Sequence, residues 1–263
     1  MNKRVLFTVI LIILLAAGAA SVKLFSSQRA LTHPLEGRLR RCAIVIGVKG
    51  TGEAARVKMM VPQDTDRQTI YNEHMDHEGF DLEMSTRGGT DNRMATWRAS
   101  LLDGSRTIQY AFACHLRERR YTLPQELKAV EDPLTNYPHE MQVWLNPSKN
   151  IQSSDQNIRR TLRKIAGKSK NISKITAKIF AYVRGEVVYK SERGSKNAAD
   201  TLAALEADCG GKARLFCALS RAAGIPSRLV GGLIMDTGSK NTTHVWCENF
   251  MDGRWIPFDA ANN

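Results

Sequence analysis

The apolar pattern of the chain changes from the period of a strand to the period of a helix near Leu123–Pro124. Before this point apolar and polar residues alternate, most regularly from Ile108 to Arg117, and turn-forming clusters such as residues 87–92 separate the runs. This pattern predicts an antiparallel β-rich domain, which we place at residues 36–125. Beyond it we place a second domain, at residues 150–263, so that the predicted fold class is α+β.

Helices open the second domain and strands close it. Helical spacing predicts two helices, the first capped by Ser154 or Asp155, with these apolar residues on their buried faces: Ile158, Leu162, Ile165, Ile172, Ile175, Ile179 and Val183. A third helix is predicted from about Lys212 to Ala223, because Gly224 and Pro226 end it. Strands are then expected at residues 228–235, 243–250 and 254–259.

An uncharged, mostly apolar run extends from Val5 to Val22, long enough to cross a bilayer as a helix. We therefore predict that residues 1–28 are an uncleaved transmembrane signal anchor. The small residues 16–21 also resemble a signal-peptidase site, and this alternative stays open. Both interpretations place the rest of the chain in the periplasm, and the anchor makes it a single-pass protein of the inner membrane. Basic residues after the run oppose this orientation, but large domains tend to cross regardless of such charge.

The formal net charge of +12 favours anionic surroundings such as phospholipid headgroups or acidic polymers. Nucleic acid is not a predicted partner, because the chain has no zinc-finger spacing and no RNP-type aromatic signature. No cofactor is predicted, and His74 and His77 have no identifiable third ligand for a metal. Besides Cys209, the cysteines are interpreted as packing residues, with a Cys42–Cys114 disulfide as the alternative in an oxidising compartment.

The candidate catalytic residues are Cys209, His244 and Asp259. A thiol attacks an amide as the thiolate, which the N-terminus of a helix stabilises through its dipole and its free N–H groups. Those N–H groups can also hold an oxyanion, and Gly210 and Gly211 are expected to leave room for a substrate backbone. His244 opens a predicted strand and would act as the base, while Asp259, at the end of the adjoining strand, would orient the imidazole.

Three blocks around these residues resemble the core motif of bacterial transglutaminase-like proteins. They are Asp208-Cys209-Gly-Gly-Lys-Ala213 with residues 218–228, His244-Val-Trp246-Cys-Glu248, and Gly253-Arg-Trp255-Ile-Pro-Phe-Asp259. The resemblance covers about residues 150–263 and implies a papain-like core, in which a helix bearing the thiol packs on an antiparallel sheet. One departure is Ala207, where that family usually has a glycine. Trp246, Trp255 and Glu248 are interpreted as structural residues of the sheet.

These observations predict a membrane-anchored, extracytoplasmic cysteine enzyme that acts on peptide or isopeptide amide bonds through a Cys-His-Asp triad and a thioester. Water as acceptor, which we favour, would make it a peptidase or amidase, and an amine would make it a transglutaminase. The alternative is a catalytically inactive peptide-binding module, because related proteins fused to seven transmembrane helices have lost the cysteine. The predicted location implies a peptide or protein substrate in the cell envelope. The resemblance implies a multi-pass membrane protein or an ATP-grasp ligase as partner.

Overall fold

The computed structural model describes residues 38–86, 92–127, 137–191, 196–234 and 242–262. These residues form two compact units, divided between Arg119 and Arg120. The predicted signal anchor at residues 1–28 lies outside the described residues. Within the described ranges, no helix is both long enough and apolar enough to cross a membrane.

The first unit is an antiparallel sheet built around one long strand, β4 (Arg93–Leu116). Strand β1 (Arg38–Val61) pairs with β4 along its whole length. On the other edge of β4, β2 (Gln68–Asp76) pairs with its C-terminal part and β3 (Asp81–Thr86) with its N-terminal part. The predicted antiparallel, β-rich character of this part of the chain is therefore confirmed.

Strand β1 is longer than the sequence predicts. Short apolar patterns around residues 42–47 and 57–61 indicate two separate strands, but the structure joins them through an irregularity between Thr51 and Ala55. Gly52 supplies the required backbone there, since its φ of 84° is one that side chains disfavour. A bulge of this kind interrupts the side-chain alternation without ending the ladder, which is why the pattern appears broken in the sequence.

The cysteines of the first unit are two buried free thiols. Cys42 lies opposite Phe112, and Cys114 lies opposite Arg40, so the two cysteines are diagonal neighbours on β1 and β4. Diagonal neighbours are about 7–8 Å apart, beyond the usual Cα separation of about 4.4–6.8 Å in disulfides. Burial raises the pKa of both thiols, which makes them less reactive. The pair therefore packs as buried side chains, and the disulfide alternative is not realised.

The second unit places helices first and an antiparallel sheet last. Its helices are α1 (His139–Gln142), α2 (Gln156–Ala166), α3 (Ile172–Glu186), α4 (Ala198–Ala204) and α5 (Cys209–Ala222). Strands β7 (Ser227–Ile234), β8 (Thr242–Met251) and β9 (Arg254–Phe258) form an antiparallel sheet in chain order. A short parallel pair, β5 (Val188–Tyr189) and β6 (Glu206–Ala207), precedes α5. The predicted arrangement, a helix bearing the thiol on an antiparallel sheet, is confirmed.

Side-chain caps define where these helices begin. The caps of α2, α3, α4 and α5 accept hydrogen bonds from backbone N–H groups of the first turn and are, in that order, Asp155, Asn171, Asn197 and Asp208. Caps of this type each stabilise a helix by about 1 kcal/mol. Helix α5 thus begins at Cys209, earlier than the predicted Lys212, because Asp208 caps it. Helix α4 was not predicted, although Asn197 three residues before Asp200 is a helix-start signal.

The core of the second unit surrounds α5. Leu215, Phe216, Cys217 and Leu219 of this helix are each at most 1% exposed. They pack with apolar residues of α2, α3 and the sheet in a single cluster. Burying a side chain of the size of leucine or phenylalanine stabilises the fold by about 1.5–3 kcal/mol. This packing fixes the direction of α5 and therefore the location of its first residue, Cys209.

Candidate active site

Cys209 is the first residue of α5 and is partly exposed, whereas the other cysteines are buried. The Asp208 carboxylate accepts the N–H of Gly211 at 2.8 Å, and the Asp208 carbonyl accepts the N–H of Lys212 at 3.0 Å. In the first turn of a helix, the remaining N–H groups have no partner within the helix. Cys209 therefore lies at the N-terminus of α5, where the helix dipole favours negative charge, as the sequence predicts.

Gly211 serves packing and does not admit a substrate. A Cβ at this position would lie 2.6 Å from the Cβ of Ala207 and 2.9 Å from Oγ1 of Thr201, both of them buried. Gly210 is buried as well. For Gly211, the expectation of room for a substrate backbone is therefore wrong, since Ala207 and Thr201 fill that room. Ala207, where related sequences usually have glycine, occupies the space that the missing side chain of Gly211 leaves.

His244 and Asp259 meet at the ends of neighbouring strands. Nε2 of His244 lies 2.7 Å from Oδ2 of Asp259, and His244 is only 8% exposed. The two-residue turn Asp252-Gly253, with φ values of 53° and 74°, sets the register of β8 and β9. Positive φ at both positions is the type I′ geometry that an Asp-Gly pair favours. The predicted juxtaposition of these two side chains therefore follows from the hairpin.

The carboxylate of Asp259 is held by the residues that follow it. The N–H groups of Ala261 and Asn262 donate to Oδ1 at 3.1 and 3.3 Å, and Nδ2 of Asn262 donates to Oδ2 at 2.8 Å. Nδ2 of Asn262 is also 3.4 Å from Nε2 of His244. Asn262 was not predicted from the sequence. Asp259 itself could have indicated it, because Asp side chains often accept hydrogen bonds from the N–H groups of the residues two and three positions later.

Trp246 packs beside the imidazole of His244. The two rings stack with centroids 6.2 Å apart and an interplanar angle of 23°. The far edge of the indole lies over Gly232, the residue opposite His244 on β7, where a Cβ would be only 2.7 Å from the ring. Trp246 is half-buried and packs against one face of the imidazole. This is the structural role that the sequence predicts for it.

Glu248 belongs to an ion pair. It is fully buried, and its Oε2 accepts hydrogen bonds from Nε and Nη2 of Arg228 at 2.9 and 2.7 Å. The Arg228 guanidinium also lies 4.0 Å from the centroid of the Trp255 ring. A buried carboxylate needs such a partner, since leaving it unpaired is strongly destabilising. The structural roles predicted for Glu248 and Trp255 are confirmed.

Lys212, one helical turn after Cys209, connects α5 to the end of α3. Its buried Nζ donates to the carbonyls of Val187 at 2.8 Å and Arg184 at 3.5 Å. Burial lowers the pKa of this ammonium, as does the charge of Arg184, while the charge of Asp259 raises it. Through these two hydrogen bonds Lys212 holds the first turn of α5 against the end of α3.

Comparison with known proteins gives two family matches. Residues 159–260 match the core of the transglutaminase-like superfamily, and this range contains Cys209, His244 and Asp259. Residues 44–186 match a family described as an inactive transglutaminase fused to 7 transmembrane helices, and this match ends before all three. A comparison with curated proteins found no match.

One solved structure shares the fold. A candidate cysteine protease from Cytophaga hutchinsonii superposes with a TM-score of 0.70 at 21% identity, over 85% of this chain and 79% of that one. The periplasmic domain of TgpA from Pseudomonas aeruginosa has a TM-score of 0.40 at 14% identity, over 87% and 73% of the two chains. The candidate site lies within the transglutaminase-like core, and by its sequence the chain belongs to the transglutaminase-like superfamily, within the family described as an inactive transglutaminase fused to 7 transmembrane helices.

Proposed function

We propose that this protein is a cysteine enzyme that cleaves peptide or isopeptide amide bonds through a thioester. The observation that carries the proposal is the bond of 2.7 Å between Nε2 of His244 and Oδ2 of Asp259. This bond occupies one ring nitrogen and leaves Nδ1 to act on a thiol. The partly exposed Cys209 at the start of α5 supports the same assignment.

The proposed reaction begins with transfer of the Cys209 proton to Nδ1 of His244. The thiolate attacks the carbonyl carbon of the amide, and the N–H group of Cys209 stabilises the resulting oxyanion. The imidazolium then returns its proton to the amine nitrogen, the C–N bond breaks, and a thioester remains on Sγ. Asp259, held by Asn262, keeps the imidazole in the tautomer that presents Nδ1 as the base. Attack of water on the thioester, deprotonated by the same imidazole, releases the acid and restores the thiol.

Water is the acceptor that we favour, which makes the protein a peptidase or amidase, while an amine in place of water would make it a transglutaminase. The apolar run Val5–Val22 and the description of the matched family, which names transmembrane helices, support a membrane-anchored protein. We therefore propose a single-pass anchor in the inner membrane and a catalytic domain on the extracytoplasmic side. A peptide or protein of the cell envelope is the corresponding substrate.

A second candidate is a catalytically inactive module that binds a peptide for a multi-pass membrane protein or an ATP-grasp ligase. The word inactive in the description of the matched family favours it. However, that match covers residues 44–186 and does not reach the candidate triad. The triad residues all lie in the other match, which supports the enzyme as first choice.

Labelling and turnover separate the two candidates. Full-length protein in detergent is treated with a peptide-based electrophile and with a library of peptide amides, and modified residues are identified by mass spectrometry. If the protein is an enzyme, we expect labelling at Cys209 and turnover, and Cys209→Ser should abolish both. Cys42→Ser replaces a buried thiol of the other unit and should leave both unchanged. Saturable peptide binding without turnover, equally strong in Cys209→Ser, would establish the binding module instead.

A further inference from the structure

A chain of buried polar groups connects α5 to β8 beneath the candidate site. The Ser227 hydroxyl donates to Sγ of Cys217 at 3.2 Å, and the sulfurs of Cys217 and Cys247 are 3.2 Å apart. Sγ of Cys247 in turn lies 2.8 Å from the Ala213 carbonyl, to which it donates. Cys217 and Cys247 are at most 1% exposed. The sequence analysis interprets both as packing residues, and nothing in the sequence brings them together, since 30 positions separate them.

The two thiols are located on the elements that carry the candidate catalytic residues. Cys217 is on α5, which begins with Cys209, and Cys247 is on β8, three residues after His244. A covalent bond between them would fix the helix to the strand in the middle of their contact. Such a bond would form whether or not the candidate triad is catalytic.

We propose that Cys217 and Cys247 form a disulfide when the protein is exposed to a disulfide oxidant, and that this bond joins α5 to β8. The sulfurs, 3.2 Å apart, need to approach by only roughly 1 Å to reach the bond length of about 2.0 Å. The movement is shared between a helix side chain and a strand side chain. In contrast, the diagonal Cys42 and Cys114 on β1 and β4 would require movement of the backbone.

The reaction is a thiol–disulfide exchange in two steps. The Cys217 thiolate attacks a sulfur of a low-molecular-weight disulfide and releases one thiol, leaving a mixed disulfide on Cys217. The Cys247 thiolate then attacks that sulfur, the S–S bond to Cys217 forms, and the second thiol leaves. Two protein S–H protons and two electrons pass to the oxidant, which becomes two thiols.

Their surroundings make Cys217 the first of the two to ionise. Burial opposes its ionisation, but hydrogen bonds with Cys247 and Ser227 and the charge of Arg221 outweigh burial and lower its pKa. Burial and the neighbouring Cys217 raise the pKa of Cys247 well above its usual value. Arg221 is itself fixed there, since its guanidinium donates to the carbonyls of Ser227 at 2.9 Å and Asn146 at 2.6 Å.

Peptide mapping without reduction tests the proposal, because each of the five cysteines falls in a different tryptic peptide. Full-length protein in detergent is incubated with oxidised glutathione, once in the native state and once during refolding from denaturant, so that burial cannot hide the thiols. Free thiols are then blocked with N-ethylmaleimide before digestion. We expect the peptide Leu215–Arg221 joined to Asn241–Arg254 in more than half of the refolded molecules, as the dominant internal crosslink.

Variants and redox titration define the outcomes. Cys114→Ala is the matched control and should leave the crosslink unchanged, while Cys247→Ala should remove it. If Cys247→Ala does not fold, the map of the wild-type protein decides alone. Recovery of Cys217 and Cys247 as separate blocked or glutathionylated peptides in folded protein, at every ratio of oxidised to reduced glutathione, would overturn the proposal. The pair would then be a hydrogen-bonded packing contact.

Discussion

Substitution of Gly211 by alanine tests how closely α5 packs on the elements before it. The new Cβ would lie 2.6 Å from the Cβ of Ala207 and 2.9 Å from Oγ1 of Thr201, below the 3.0 Å that such contacts respect. Overpacking of this kind costs about 1–3 kcal/mol. Alanine in a helix gains up to about 1 kcal/mol over glycine. We therefore expect a net loss of about 0–2 kcal/mol, or a fall in Tm of at most about 8 °C for a chain of this size.

A matched control separates packing from helix propensity. Gly185 of α3 is exposed, and a Cβ there would meet nothing within 4 Å, so Gly185→Ala should raise stability by about 0.5–1 kcal/mol. The double variant Ala207→Gly/Gly211→Ala should recover part of the loss, because it removes the closest contact. Tryptophan fluorescence during urea unfolding is a suitable assay, since Trp144, Trp246 and Trp255 all lie in the second unit. Equal stability of the two single alanine variants would refute the packing argument.

Four further predictions concern the site and the anchor. Iodoacetamide at mildly acidic pH should label Cys209 before the buried cysteines. The variant His244→Ala should slow the labelling of Cys209, because it removes the imidazolium. Equal labelling rates at all five cysteines would contradict the triad. Asn262→Ala should lower kcat about fivefold, because it removes one hydrogen bond of about 1 kcal/mol to Asp259. It should also change the pH–rate profile. An unchanged profile would mean that Asn262 does not position the Asp259 carboxylate. Glu248→Ala should cost about 3 kcal/mol in urea unfolding, since it leaves a half-buried arginine unpaired, and a loss below 1 kcal/mol would show that water already satisfies that cation. The full-length chain should remain with membranes after a high-salt wash, whereas recovery of the intact chain in the soluble fraction would argue against the anchor.

Several features could be predicted from the sequence because they depend on interactions between residues that are close in the chain. Asp155 caps α2 as expected, because a cap needs only a side-chain oxygen two or three residues before its donors. The meeting of His244 and Asp259 was predictable for a similar reason, since an Asp-Gly turn fixes the register of the strands that it joins. In both cases the interacting groups are close in the chain or connected by one tight turn.

Other features depended on how separate elements pack. The continuity of β1 through Gly52 depends on pairing with β4, and the local pattern alone indicates two strands. The sequence alone suggests that Gly211 leaves space for a substrate, but in the fold Ala207 and Thr201 fill the space beside it.

The sequence by itself determined that strands come first, that helices follow and that strands return at the end, and it also determined where α2 begins and how the Asp-Gly turn joins β8 and β9. Each of these features rests on residues that are neighbours along the chain. The candidate triad was found differently, from three separate blocks that together resemble one family. Only the tertiary structure decided that Cys217 and Cys247 are in contact across 30 positions and that Ala207 and Thr201 fill the space beside Gly211. Contacts of that kind depend on the rotation and depth at which α5 packs on its sheet. The packing of the whole core sets both quantities, and no local pattern in the sequence records them.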